Sequence, residues 1–227
     1  MPSFLEARAF RGINVTIPYK QTVIPYLDTV SDQAREIGAV NTVVRDGQGK
    51  LHGYNTDFFG FDALMTHAGM DPAGKKCLVL GSGGASRAVT ACLRHRGAGE
   101  IRVISRSGED NYSNLDRHGD AAFLVNATPV GMYPKAGVSP VDLTLFPRLE
   151  GVLDLIYNPA RTALLLQAEE LGIPGENGLY MLVAQAKAAA ELFLGRAIPE
   201  SETGRVAGLM AERVGQEGRK IGENTRD

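Results

Sequence analysis

Between residues 11 and 17 apolar and polar side chains alternate. Ile13, Val15 and Ile17 fall on one face and Asn14 and Thr16 on the other, which predicts a strand that Pro18 stops. Residues 21 to 37 carry a helical pattern interrupted near Ser31. Ala39 to Val44 and Leu51 to Asn55 read as the two strands of a hairpin, joined by the turn Asp46-Gly47-Gln48-Gly49. Thr56 or Asp57 then reads as an N-cap. Phe58, Phe61, Leu64 and Met65 follow at helical spacing, and Gly69 closes that helix.

After the linker Asp71-Pro72-Ala73-Gly74 the rhythm changes to alternating strand and helix. Strands are predicted over Lys76 to Leu80, Ile101 to Ser105, Ala122 to Val125 (ending at Asn126) and Val152 to Ile156, and helices over Ala85 to Arg96 and Arg161 to Leu171. This alternation implies an α/β fold with a doubly wound parallel sheet covered by helices on both faces. Leu179 to Leu194 reads as one strong helix. Residues 200 to 227 are polar, with only Val206, Leu209, Met210 and Val214 at helical spacing, which predicts a weak helix and a disordered end. The expected organisation is a small α/β domain over 1–62, a sheet domain over 63–178, a helix over 179–200 returning to the first domain, and a tail over 201–227.

Composition narrows the picture little. Of 227 residues, 44% are hydrophobic, enough for a packed core, and the formal net charge of -2 argues against a nucleic-acid or membrane-surface role, which needs a basic face. Cys77 and Cys92 sit in apolar periodic stretches and read as buried thiols, and His52, His67, His95 and His118 lack metal-ligand spacing, so no metal is expected. No run of about 18 apolar residues occurs. The opening MPSFLEARAF lacks the plan of a secretion signal, which points to a reducing cytoplasm.

The first chemistry-bearing feature is Gly81-Ser82-Gly83-Gly84-Ala85-Ser86, between a strand and a helix. Glycine at the first position permits the tight turn. At the second it lets the backbone approach a pyrophosphate, which the helix N-terminus then meets with unpaired N–H groups. Ser86 departs from the fingerprint at its third small position. The next strand ends at Ser105-Arg106-Ser107, where an NAD enzyme carries Asp or Glu for the ribose 2′-hydroxyl. A guanidinium flanked by two hydroxyls suits a 2′-phosphate instead, so the cofactor expected is NADP. Arg87, in the first turn of the helix, is a second candidate phosphate contact.

Seven segments then fall into one order: Asn14-Val15-Thr16-Ile17-Pro18-Tyr19-Lys20, Gly38-Ala39-Val40-Asn41-Thr42, Gly53-Tyr54-Asn55-Thr56-Asp57, the glycine loop, Asn126-Ala127-Thr128-Pro129-Val130-Gly131-Met132, Asp154-Leu155-Ile156-Tyr157-Asn158-Pro159, and Gly178-Leu179-Tyr180-Met181-Leu182 with Gln185. In this the chain resembles the NADP-dependent shikimate dehydrogenase family from about residue 5 to 198. The resemblance implies a Rossmann-type NADP domain and a smaller substrate domain, and an oxidoreductase that interconverts 3-dehydroshikimate and shikimate in aromatic amino-acid biosynthesis. It implies Lys20 and Asp57 as the residues flanking the reacting hydroxyl, with Asn14, Thr16, Asn41, Tyr157 and Gln185 about the substrate. It adds Asn126, Thr128, Gly178 and Met181 to the glycine-loop residues and Ser105, Arg106 and Ser107 on the cofactor side. In oxidation, either Lys20 or Asp57 accepts the proton.

The same resemblance implies an opening strand, a loop with two serines for the substrate carboxylate, and a helix. No Ser-x-Ser precedes Lys20, and Ser3 stands alone. The expectation is therefore a substrate domain short of a strand, with an exposed sheet edge, a tendency to self-associate, and weak or absent turnover. Two alternatives follow: an inactive NADP-binding fragment, or a quinate-type dehydrogenase. Small-molecule substrate, no nucleic acid, no membrane, and a homodimer as one assembly open to it complete the expectation.

Overall fold

The computed structural model describes residues 2–16 and 18–224. The chain opens with α1 (Pro2–Ala7) and β1 (Gly12–Asn14). A single 3-10 turn at Ile24–Tyr26 leads to β2 (Thr29–Val30) and α2 (Asp32–Ile37), and the hairpin β3 (Thr42–Arg45) and β4 (Leu51–Tyr54) follows. These strands form a mixed sheet in the order β1-β3-β4-β2, in which only the β2–β4 pair is parallel. Its core is small: Leu5, Val15, Val23, Ala34, Val40, Val43 and Leu51.

Two expectations are corrected here. The strand expected over 11 to 17 ends at Asn14, although the Val15 amide still donates to the Asn41 carbonyl at 2.8 Å; Ile17 lies outside the described residues. The helix expected from 21 to 37 is three separate pieces. Pro25 has no N–H to continue a helix, Leu27 is extended, and Ser31 starts α2 afresh by accepting from the Ala34 amide.

α3 (Thr56–His67) then carries the chain to the second sheet. β5 (Lys76–Leu80), β6 (Glu100–Ile104), β7 (Phe123–Asn126), β8 (Gly151–Asp154) and β9 (Gly175–Asn177) are all parallel, in the order β6-β5-β7-β8-β9. α4 (Gly84–His95) crosses from β5 to β6, and α5 (Ala163–Glu170) from β8 to β9. The β7 and β8 residues are buried throughout, as a sheet covered on both faces requires. The fold is α/β with a doubly wound parallel sheet. β9, with the sequence Gly-Glu-Asn, has no apolar pattern and was not expected; it exists because β8 offers it a free edge.

α6 (Leu179–Leu194) packs along α3, and α7 (Ser201–Asn224) follows it. The last segment is thus a continuous helix to Asn224 where a weak one was expected; the disordered end expected beyond it falls at 225–227, outside the described residues. Together α3 and α6 join the two sheets, and Phe58, Phe61, Leu64, Met65 and Met181 belong to one apolar cluster with the β5 and β7 residues Cys77, Val79, Phe123 and Val125.

Candidate active site

The loop after β1 turns sharply, with the Tyr19 amide donating to the Thr16 carbonyl at 2.8 Å. The Lys20 carbonyl accepts from the Val40 amide at 2.8 Å, which ties this loop to the segment entering β3. From β4 the chain enters α3 through Asn55. Its Oδ1 accepts from the amides of Asp57 and Phe58, and its Nδ2 donates to the Ala39 carbonyl at 3.0 Å. Asn55, rather than Thr56 or Asp57, is therefore the N-cap of α3. This leaves the Asp57 carboxylate free to face Lys20, whose Nζ donates to Asp57 Oδ2 at 2.7 Å. Both side chains are about four-fifths buried, at 24% and 17% exposure, so solvent screens the pair only partly. The α3 N-terminus adds a favourable field for the carboxylate.

Around this pair lies a cavity of about 380 Å³. Asn14, Thr16, Lys20, Asn41, Asp57, Tyr157 and Gln185 all line it, so the fold gathers residues 171 positions apart in sequence at one site. Asn41 Oδ1 accepts from the Thr56 amide at 2.7 Å, which fixes its carboxamide. Asn14 Oδ1 accepts from the Thr42 hydroxyl at 3.4 Å. Gln185 is held on both sides: Nε2 donates to the Leu182 carbonyl of its own helix at 3.0 Å, and Oε1 accepts from the Thr56 hydroxyl at 3.4 Å. Thr56, expected only as an alternative N-cap, bonds both Asn41 and Gln185. Leu155 and Leu182 complete the apolar part of the wall; neither carried a chemical signal in the sequence.

Across the cleft, Ala85 at the start of α4, and Gly178 and Met181 at the start of α6, line the same cavity. Gly81 has φ +101°, and a Cβ there would lie 3.0 Å from the Thr128 side chain and 3.2 Å from the Ala127 carbonyl. Conformation and space both demand glycine. Gly83 caps α4 without a side chain, and no atom lies within 4 Å of a Cβ built on Gly83 or Gly84. Ser82, Gly83 and Gly84 are all exposed, and the first amides of α4 have no partner within their helix, a cradle of the right kind for a pyrophosphate. Ser86 is buried, so the departure from the fingerprint is filled by a small side chain against the sheet.

Arg106 stands exposed past the end of β6, and neither it nor the Ser105 and Ser107 hydroxyls make a side-chain hydrogen bond among the described residues. Thr128 lines a second cavity of about 380 Å³, next to Ala85, Met132, Tyr133 and Tyr157. Asn126 does not: it is fully buried beneath that cavity, with Oδ1 accepting from the Thr128 amide and hydroxyl. Arg87 reaches back toward the first sheet. With the Gln21 carboxamide oxygen turned toward it, Nη1 and Nη2 of Arg87 both donate to that oxygen at 2.7 Å. Burial pushes the Cys77 and Cys92 thiols up to about 12, which leaves them unreactive. No described helix is long and apolar enough to cross a membrane.

Residues 2–43 match the shikimate dehydrogenase substrate binding domain. A shikimate dehydrogenase (NADP(+)) of Clostridium perfringens is 36% identical over 211 residues, which span 87% of this chain and 77% of that protein. The chain belongs to the shikimate dehydrogenase family. Solved structures agree. The chorismate mutase/shikimate 5-dehydrogenase fusion protein from Clostridium acetobutylicum superposes with a TM-score of 0.87 at 37% identity, over 93% of this chain and 81% of that one. The shikimate 5-dehydrogenase of Thermus thermophilus, solved in complex with NADP(H) and shikimate, gives a TM-score of 0.79 at 37% identity, over 91% and 84%. Family membership fixes the class of chemistry to be tested at the Lys20–Asp57 cavity.

Proposed function

We propose that this family member interconverts 3-dehydroshikimate and shikimate with NADPH and NADP, and that the Lys20–Asp57 cavity is where it does so. The observation that carries the reading is the 2.7 Å Lys20–Asp57 pair in a cavity that also meets the start of the glycine-loop helix. The nicotinamide cofactor supplies the hydride for the ketone carbon. Lys20, as an ammonium, donates its proton to the oxygen on which negative charge develops and stabilises that charge. Asp57 holds the ammonium in place and accepts a hydrogen bond from the new hydroxyl. In the oxidising direction the proton returns to this pair.

Asn14, Thr16, Asn41 and Gln185 offer donors and acceptors to the ring hydroxyls, and Tyr157 lines the cavity beside them. On the cofactor side, the Gly81–Ala85 loop would hold the pyrophosphate and Ser105, Arg106 and Ser107 the 2′-phosphate, with Thr128, Gly178 and Met181 as further contacts and Asn126 supporting Thr128 from below. Residues 1–62 would form the substrate domain and 63–178 the NADP domain, with 179–200 returning to the first. The compartment we assign is the cytoplasm.

The test is a steady-state assay of the chain with shikimate and NADP, followed through the nicotinamide absorbance, with NAD and quinate as competing pairs. Turnover greatest with shikimate and NADP supports the reading. NADP binding without turnover on either acid would refute it.

A further inference from the structure

Asp154 is the last residue of β8 and has no exposed surface. Its Oδ1 accepts from Asn126 Nδ2 at 3.0 Å and from the Ile156 amide at 3.1 Å, and its Oδ2 accepts from the Thr162 hydroxyl at 2.7 Å. All three partners are neutral donors, and no described cation pairs with it. Burial raises its pKa accordingly. An unpaired interior carboxylate is costly to keep, so what its bonds hold matters.

They hold two loops together. Asn126, the last residue of β7, spends its other atoms on the following loop: Nδ2 also donates to the Val130 carbonyl at 3.3 Å, and Oδ1 takes the Thr128 amide and hydroxyl at 3.0 and 2.7 Å. The Ile156 amide and Thr162 lie at the two ends of the loop that follows β8. Two backbone bonds add to this: the Leu155 amide donates to the Asn126 carbonyl at 3.0 Å and the Tyr133 amide to the Asn158 carbonyl at 3.1 Å. These loops supply Leu155 and Tyr157 to the first cavity and Thr128, Met132, Tyr133 and Asn158 to the second. Asp154 lines neither.

We infer that Asp154 is a positioning residue for the cofactor-side wall of the cleft, a single carboxylate that fixes the loops after β7 and β8 against each other. Only a carboxylate accepts at all three points. Asparagine there would turn its NH2 group toward the Thr162 hydroxyl, which would have to give up its donation in order to accept, or toward the Asn126 and Ile156 donors, and an apolar residue would leave all three unpaired. A reacting centre is sensitive to such small displacements. The assignment rests on the NADP reading above.

Asp154→Asn, which keeps the volume, is the first test. The KM for NADPH should rise by on the order of ten- to a hundred-fold per folded molecule, with a smaller fall in kcat. Hydrogen exchange of amides 127–133 and 155–158 should quicken while β5 and β6 keep their protection. A purely structural Asp154 predicts otherwise: a lower melting temperature or active fraction, with parental KM and parental exchange in those loops. That result would overturn the inference. Should Asp154→Asn fail to fold, Thr162→Val beside Thr162→Ser answers the question. Val should raise the NADPH KM several-fold and Ser should leave it parental; parental values for both would overturn the role. A parent chain that fails to bind NADPH would overturn the cofactor reading and this assignment together. A parent that binds, with Asp154→Asn unchanged, overturns this one alone.

Discussion

At the scale of single residues, the site depends on which of three adjacent side chains caps α3. Asn55, Thr56 and Asp57 are all capping types, and type alone does not say which of them stands at the extended position. The backbone decides: Asn55 has φ -122° and ψ 102°, so it caps, and Asp57 is left for Lys20. The candidate residues were legible because Lys20 and Asp57 sit in short ordered motifs. The site roles of Thr56 and Asp154 were not, because a hydroxyl at the start of a helix and a carboxylate at the end of a strand have many ordinary uses. Lys20→Ala removes a proton donor used in the transition state, so turnover should fall by at least about 100-fold with NADPH affinity within about two-fold of the parent. Near-parental turnover would exclude Lys20 from proton transfer. Among the described residues Arg106 has no side-chain hydrogen bond to lose. Arg106→Ala should weaken NADPH binding by about 1–3 kcal/mol, the range of a charge-assisted hydrogen bond, with no change for NADH. Calorimetry with both cofactors checks this, and equal losses for the two would show that Arg106 does not read the 2′-phosphate.

At the scale of elements, the contact between α3 and α6 sets the site. A Cβ on Gly60 would come within 2.8 Å of the Met181 carbonyl and 2.9 Å of Gln185 Cβ, so glycine is what lets the two helices approach. That approach carries Gln185 to the cavity wall and brings its Oε1 to Thr56. Gly60→Ala should therefore force α6 outward. Overpacking of this kind costs typically about 1–3 kcal/mol, and the KM for shikimate should rise more than that for NADPH. A thermal melt and the two KM values measure it; an unaltered melting temperature and shikimate KM would mean that the helices absorb the methyl group. The sequence predicts α6 well because Leu179 to Leu194 has a strong apolar stripe, and its bounds match the observed helix. It shows nothing of the reason for Gly60, since a glycine inside a helix pattern looks like a weakness until the opposing helix is known. β2 and β9 were invisible for a related cause: two or three residues carry no period, and both exist only because a longer strand offers them an edge.

At the scale of the whole molecule, the two sheets differ in how much they bury. The parallel sheet is covered on both faces, by a described cluster of 19 buried apolar residues that it shares with α3, α6, Ile37 and Ala39, and by one of 12 on the other side. The mixed sheet has seven, and its strands run to four residues at most. Each buried Val or Leu side chain contributes about 1.5–3 kcal/mol, so the smaller core has much less to lose before it opens. Local opening should therefore begin in the mixed sheet. The boundary should fall within α3, because Phe58, Phe61, Leu64 and Met65 belong to the cluster that also holds β5 and β7 residues. Hydrogen exchange under native conditions measures this directly. Amides of β1, β3 and β4 should exchange on the order of ten-fold or more faster than those of β5, β7 and β8, with α3 beyond Phe58 grouped with the slow set. Saturating shikimate with NADP should then slow the first set more than the second, because a ligand gripped by both halves raises the opening energy of the weaker one. Equal protection across the two sheets without ligand would show that the mixed sheet opens only when the whole chain unfolds, and that Lys20 and Asp57 are held as rigidly as the glycine loop.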